Sequence, residues 1–375
     1  MPWDRSKGRD PRLDFFRGLA MFIIFIAHVR GNILTLFIPA RFGPSDATEL
    51  FVFCSGYASA IAFGGIFNRL GFWTGTSRTL LRVWQIYWAH VSLFFTIATL
   101  CVVATWLSHS SDISYIEKLN LTRFFTHTEQ TMVGLFTLTY VPNLFDILPM
   151  YMVALLMLPI IILLRRIHLI AAIGLSISLY SAAWIVNLEL PAEPWTSRPW
   201  FFNPFAWQLL FFTAFALSAG WIAAPKPQRW LLGFAVIYVI LWIPISFWPI
   251  RESFTLFSDL RSIVLAPLMH GSPKTDLHLF RYIHILCLGY IVICLLWERE
   301  EVLLKKWAKP IIKVGQQALP TFMASIVLAW SGGVFLDHVG RHALSWIGVN
   351  VMGFVLLIMI AYGIAWYKAP PWQKR

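Results

Sequence analysis

The chain has 375 residues, of which 58% are hydrophobic and 13% charged, with a mean hydropathy of +0.67. Soluble domains carry about 25% charged residues, so a water-soluble globular protein is excluded and a lipid environment follows. The net charge of +12 turns attention to where Lys and Arg lie along the chain before any nucleic-acid partner is considered.

The basic N-terminus MPWDRSKGRDPRLDFFRG is followed by an apolar stretch interrupted by His28 and Arg30, and then by many more such stretches, which speaks against a cleaved signal peptide. Apolar stretches predict helices near 13–38, 45–66, 82–107, 143–164, 167–187, 203–222, 230–248, 282–297, 315–336 and 343–366. Most approach the ~20 residues needed to cross a bilayer, and 282–297 is the short one. Runs such as Met152 to Leu164 lack the alternation of outer-membrane strands. The expected fold is therefore all-α, a polytopic membrane helix bundle of about ten transmembrane helices. Without Gly/Ser linkers, low-complexity tracts or long charge runs, a single domain over 1–375 is expected.

With the N-terminus inside, the segments 1–12, 67–81, 165–166, 223–229, 298–314 and 367–375 carry twice the Lys and Arg of the opposite ones. That positive-inside asymmetry predicts both termini cytoplasmic and accounts for most of the basicity without nucleic acid. Two outer segments, 108–142 and 249–281, are too long for simple connections, and with Phe124, Phe125, Phe254 and Phe257 they are expected to fold back as interfacial or re-entrant pieces. The cysteines Cys54, Cys101, Cys287 and Cys294 fall inside apolar stretches without metal-type spacing, so neither a disulfide framework nor a metal site is expected.

Ionisable side chains within a span demand a partner, a water-filled cavity or a function. In LDFFRGLAMFIIFIAHVRG, Asp14 and Arg17 are three residues apart and can pair on one helical face. His28 lies 11 residues beyond Arg17, which returns it to within about 20° of the same direction and ~16 Å further along the axis, deep in the membrane. An imidazole titrating near neutrality is suited to taking a hydroxyl proton. The competing reading is an interfacial ion pair with a histidine that bonds a neighbouring helix.

In SDATELFVFCSGY, Asp46 and Glu49 suit a helix N-terminus. Arg78 and Arg82 are four apart at the start of the third span, where two guanidiniums can grip phosphate or act as ordinary interfacial anchors. Asp146 precedes Pro149 in FDILPMY, and Asn203, Trp207 and Gln208 open the sixth span in FNPFAWQLLFF; these are candidates for the floor of an outer cavity, with capping as the plainer account. His284 and His90 are further imidazoles within spans. HExxH, G-x-S-x-G, P-loop and His-x4-Asp signatures are absent.

The combination RLDFFRGLAMFIIFIAH, ELFVFCSGY and SRTLLRVWQIYW resembles the acyltransferase-3 superfamily of ten-helix membrane acyltransferases. With DILPMY at 146–151 and NPFAWQLLF at 203–211, it is more closely similar to the OpgC family, named for succinyltransferases of osmoregulated periplasmic glucans, over nearly the whole chain. The resemblance implies an inner-membrane enzyme that takes an acyl group from cytoplasmic acyl-CoA, as a donor substrate with no tightly bound cofactor, and passes it to a glycan hydroxyl outside. His28 matches the essential first-helix histidine, Arg17 its partner, and Arg78 and Arg82 the R-x3-R motif associated with CoA. The usual serine-glycine-phenylalanine of the second-helix motif is here Ser55, Gly56 and Tyr57.

The expected site therefore has His28, Asp14 and Arg17 as catalytic residues and Arg17, Arg78 and Arg82 on the succinyl-CoA or acetyl-CoA donor. Glu49, Asp146, Asn203, Trp207, Gln208 and His284 are expected near the acceptor, with Trp195, Trp200, Phe201 and Phe202 offering rings for a glycan. Three alternatives stay open: a proton-coupled transporter using Asp14, Arg17, His28 and Asp146, an acyltransferase for another glycan or a lipid, and a structural or sensory bundle.

Overall fold

Asp10 starts the first helix in the manner that favours an N-cap. Its carboxylate accepts the Arg12 N–H at 2.9 Å and pairs with the Arg12 guanidinium at 3.0 Å, while Pro11 occupies the first turn, where a missing N–H costs nothing. The computed structural model describes residues 10–108, 114–265 and 274–369. The expected cytoplasmic ends 1–9 and 370–375, and the parts 109–113 and 266–273 of the outer segments, lie outside them.

Helix α1 (Pro11–His28) ends ten residues before the hydropathy predicts. Val29 is extended, Gly31 turns with a φ of +70°, and Asn32 caps the 3-10 turn Ile33–Leu36 by accepting the Leu34 N–H at 3.2 Å. Apolar composition continues through residues 33–38, but the glycine and asparagine redirect the backbone. His28 is consequently the last helical residue, half-buried at the end of α1 and not deep within a longer span.

The other helices follow as α2 (Ala47–Ser59), α3 (Gly65–Arg69), α4 (Phe72–Leu107), α5 (Thr122–Thr126), α6 (Thr128–Thr137), α7 (Ile147–Ile167), α8 (Leu169–Ile185), α9 (Pro204–Ser218), α10 (Arg229–Ser246), α11 (Trp248–Ser253), α12 (Thr255–Leu265), α13 (Leu279–Leu296), α14 (Lys309–Gln316), α15 (Ala318–Val339) and α16 (Ala343–Lys368). One π turn, Ala60–Gly64, joins α2 to α3. Among the described residues no strand forms, and Pro191 and Pro199 make an isolated antiparallel bridge. The chain is an all-α polytopic bundle.

Among the described residues seven helices are long and apolar enough to cross a membrane: α2 continued through α3, α4, α7, α10, α13, α15 and α16. Helices α8 and α9, with 17 and 15 residues, are shorter, and α1 carries Arg12, Asp14 and Arg17. Each of the ten expected stretches thus contains a helix. Helix α4 starts ten residues earlier than expected and reaches ~54 Å over its 36 residues, longer than the ~30 Å hydrocarbon core. The two long segments expected on the outer side hold the short helices α5, α6, α11 and α12 among their described residues.

The chain divides into two compact units that alternate in sequence. The first comprises Met1–Cys54, Ala223–Pro267 and Leu279–Arg375. Here α1 lies against α14 and α15, α15 against α16, and α10 against α13. Gly18 meets the Ile311 carbonyl and Gly315 meets the Asp14 carbonyl, so a β-carbon at either position would collide with the facing backbone. Such small-residue contacts let membrane helices approach closely.

The second unit comprises Ser55–Ile222 and Leu268–His278. Helix α7 packs on α4, α8 and α9. Gly56 sits against the Phe211 carbonyl of α9, which gives the second-helix motif a packing role. Phe94 of α4 gathers Phe124, Tyr140 and Phe145 edge-on or tilted, at ring distances of 4.8, 6.2 and 5.3 Å.

Candidate functional site

Within the first unit, His28 Nδ1 lies 2.7 Å from the Ile24 carbonyl one turn back. A carbonyl oxygen only accepts, so Nδ1 carries a proton, and whenever the ring is neutral its lone pair lies on Nε2. The ring is thereby fixed by its own helix with a basic nitrogen directed away from it. Asp14 is fully buried near the start of the same helix, and Arg17 is half-buried. The helical distance of ~16 Å between Arg17 and His28 stands, because α1 contains both.

The turn that follows His28 is held by elements far away in sequence. Asn32 Nδ2 donates to Asn350 Oδ1 at 2.9 Å and Asn350 Nδ2 donates back to Asn32 Oδ1 at 3.0 Å, a closed pair between two amides that are 2% and 3% exposed. Trp346 Nε1 donates to the Gly31 carbonyl at 2.9 Å. Gly333 of α15 leaves room for the Arg30 backbone. Sequence reading passed over Asn32 and Asn350, since nothing local marks two asparagines 318 positions apart as partners.

Glu49 and His284 are each held in the first unit by a residue that sequence reading did not assign, Arg281 and Ser45 respectively. Asp46 caps α2 by accepting the Thr48 N–H at 2.7 Å, while Glu49 accepts the Asp46 N–H at 2.8 Å, a reciprocal capping arrangement. Arg281 joins both carboxylates, donating from Nε to Glu49 Oε1 at 2.6 Å and from Nη2 to Asp46 Oδ2 at 3.4 Å. One turn along α13, His284 Nδ1 lies 2.6 Å from Ser45 Oγ, and its Nε2 is buried without a hydrogen-bond partner among the described residues. The Arg281 partner was legible only as a cation next to a span.

The second unit holds the remaining candidates. Arg78 is exposed and Arg82 half-buried on the first third of α4, with Arg82 donating to Gln85 at 3.1 Å. Asp146 is 3% exposed and accepts the Phe201 N–H at 3.0 Å. Burial pushes its carboxyl up to about 7, against the opposing pull of that N–H and of the Arg198 charge. His90 is fully buried on α4, edge-on to Phe145, with neither ring nitrogen hydrogen-bonded among the described residues.

Asn203, Trp207 and Gln208 spend their polar atoms on their own chain. Asn203 caps α9 at the Phe205 N–H and donates to Leu188 and Asp276 oxygens, both at 2.8 Å. Trp207 Nε1 donates to the Lys274 and Thr275 carbonyls, and Gln208 exchanges 2.7 Å bonds with Ser176 on α8. The four rings expected to offer a stacking surface separate as well. Trp200 and Phe202 are buried at 3% and 9%, and Trp195 lies between the Arg123 guanidinium at 4.7 Å and Tyr140 at 5.4 Å, leaving Phe201 exposed. Their burial follows from the Trp200 indole donating to Pro191 and from Phe202 packing on Trp207.

The described residues define a polytopic helical membrane bundle with ionisable groups buried among its helices. The chain belongs to the OpgC protein family, which it matches over residues 9–369. Membership points to a glucan-modifying acyltransferase. No curated protein and no solved structure matches it.

Proposed function

We propose that the chain is an inner-membrane O-acyltransferase, akin to the acyltransferase-3 superfamily, that moves a succinyl group from cytoplasmic acyl-CoA to a hydroxyl of a periplasmic glucan. The observation that supports this reading is the contact of His28 Nδ1 with the Ile24 carbonyl, which favours the tautomer with its proton on Nδ1 and makes Nε2 the proposed base. In the proposed step Nε2 takes the proton of the sugar hydroxyl as its oxygen bonds to the thioester carbonyl carbon. Collapse of the tetrahedral adduct breaks the carbon–sulfur bond, and the CoA thiolate takes the proton back from His28. Holding hydroxyl and thioester in register supplies much of the rate.

Arg17, ~16 Å from His28 along α1, is proposed for the phosphate end of the donor, a distance that a pantetheine arm spans. Asp14 on the adjoining turn is its proposed electrostatic partner. Arg78 and Arg82 on α4 are proposed separately as a phosphate-gripping pair, as the R-x3-R resemblance implies.

The test is label transfer in lipid nanodiscs from radiolabelled succinyl-CoA or acetyl-CoA to a periplasmic glucan, for wild type and His28→Ala. Loss of a general base predicts a fall of roughly 10²–10⁴-fold with the protein still inserted and folded. Full activity in His28→Ala would end the assignment. Proton-driven uptake of a solute without consumption of acyl-CoA would point to a transporter instead.

A further inference from the structure

Arg30 lies two residues beyond His28, in the turn held by the Asn32–Asn350 and Trp346–Gly31 bonds. Its backbone rests against Gly333, where an added β-carbon would come within 3.2 Å of the Arg30 N and Cβ atoms. The next two residues are fixed by the Trp346 bond to Gly31 and by the Asn32–Asn350 amide pair. The side chain, by contrast, is uncommitted. Its Nη1 is buried, and Arg30 has no hydrogen bond or ion pair among the described residues.

Three other guanidiniums of the same unit are paired: Arg12 with Asp10, Arg281 with Glu49 and Asp46, and Arg341 with Asp337. A partly buried, permanently charged group without a counter-ion is costly in a membrane protein, and a rigid backbone keeps it from relaxing away. A guanidinium fork suits a carboxylate or a phosphate. Position separates these two. The donor's phosphates are proposed at Arg17, ~16 Å from His28, whereas two residues of backbone place Arg30 at most about 7 Å from His28 between α-carbons. That is the reach of a short acyl chain measured from its reacting carbonyl.

We propose that Arg30 receives the carboxylate at the far end of a dicarboxylic acyl group and so selects the donor; this rests on the reading of His28 as the base of acyl transfer. Arg30 takes no part in bond making, and its contribution is to prefer a charged acyl group over an uncharged one of equal length.

The experiment compares succinyl-CoA with butyryl-CoA, which has the same chain length and no carboxylate, for wild type, Arg30→Gln and Arg30→Lys in nanodiscs. Both kcat/KM for transfer and equilibrium binding of each ester are measured. The succinyl-to-butyryl ratio should exceed ten in wild type, fall at least tenfold in Arg30→Gln and recover in part in Arg30→Lys. A ratio unchanged in Arg30→Gln, whether because neither donor is affected or because both weaken together, overturns the assignment. If wild type transfers neither group, acyl transfer itself fails, and the binding ratio still decides Arg30: equal affinity of wild type and Arg30→Gln for succinyl-CoA sinks it.

Discussion

At the scale of single residues, the bundle contains polar groups whose surroundings give them measurable behaviour. Asp146 titrates at about 7 in the folded chain, against an ordinary 3.8. Between those values the folded protein holds a proton that the unfolded chain has released, so stability is fully present on the acid side and is lost as pH rises toward about 7. The melting temperature of detergent-solubilised protein should therefore drop from pH 4.5 to 7.5, and Asp146→Asn should flatten the drop; an identical pH profile in the variant contradicts the buried state of this carboxyl. The Asn32–Asn350 pair makes a second prediction. Asn350→Leu leaves the Asn32 amide buried without its partner, which should destabilise by about 1–3 kcal/mol, and because this pair closes the turn after His28, kcat should fall more than KM rises. An unchanged melting curve would show that the amide pair contributes nothing.

At the scale of elements, helix contacts rest on where side chains are missing. Gly18→Leu or Gly315→Val forces a side chain into the facing backbone between α1 and α14, and overpacking of that kind should cost at least about 1–3 kcal/mol. Gly289 on α13 faces open space. Gly289→Ala should raise stability by about 0.5–1 kcal/mol, since the helix loses a flexible residue without a clash. Thermal unfolding of the three variants in one detergent provides the comparison, and equal behaviour of Gly18→Leu and Gly289→Ala would refute the close approach of α1 and α14. Length is the other element-scale lesson. Apolar composition overran α1 by ten residues, because Gly31 and Asn32 end a helix that hydropathy alone would continue, and it started α4 ten residues late, because a polar first third bearing Arg78 and Arg82 still propagates as helix.

At the scale of the whole molecule, the distribution of Lys and Arg predicts a topology that labelling can check. In a chain with its native cysteines replaced, Lys306→Cys should react with a membrane-impermeant maleimide only after the inner face is opened, and Glu129→Cys from outside; the reverse pattern would invert the proposed orientation. The ten helical stretches and the placement of Arg17 and His28 on one helix were legible in the chain, because each depends on composition or on spacing along one helix, and bilayer thickness and the 3.6-residue turn are properties of any sequence. The pairing of Arg281 with Glu49 and Asp46, the Ser45–His284 contact, the Asn32–Asn350 lock and the commitment of Asn203, Trp207 and Gln208 to their own chain were not. Each joins residues between 32 and 318 positions apart. Such partnerships are settled when the helices dock and buried donors and acceptors are driven to find mates away from water, a condition that acts in three dimensions and leaves no local trace in the sequence.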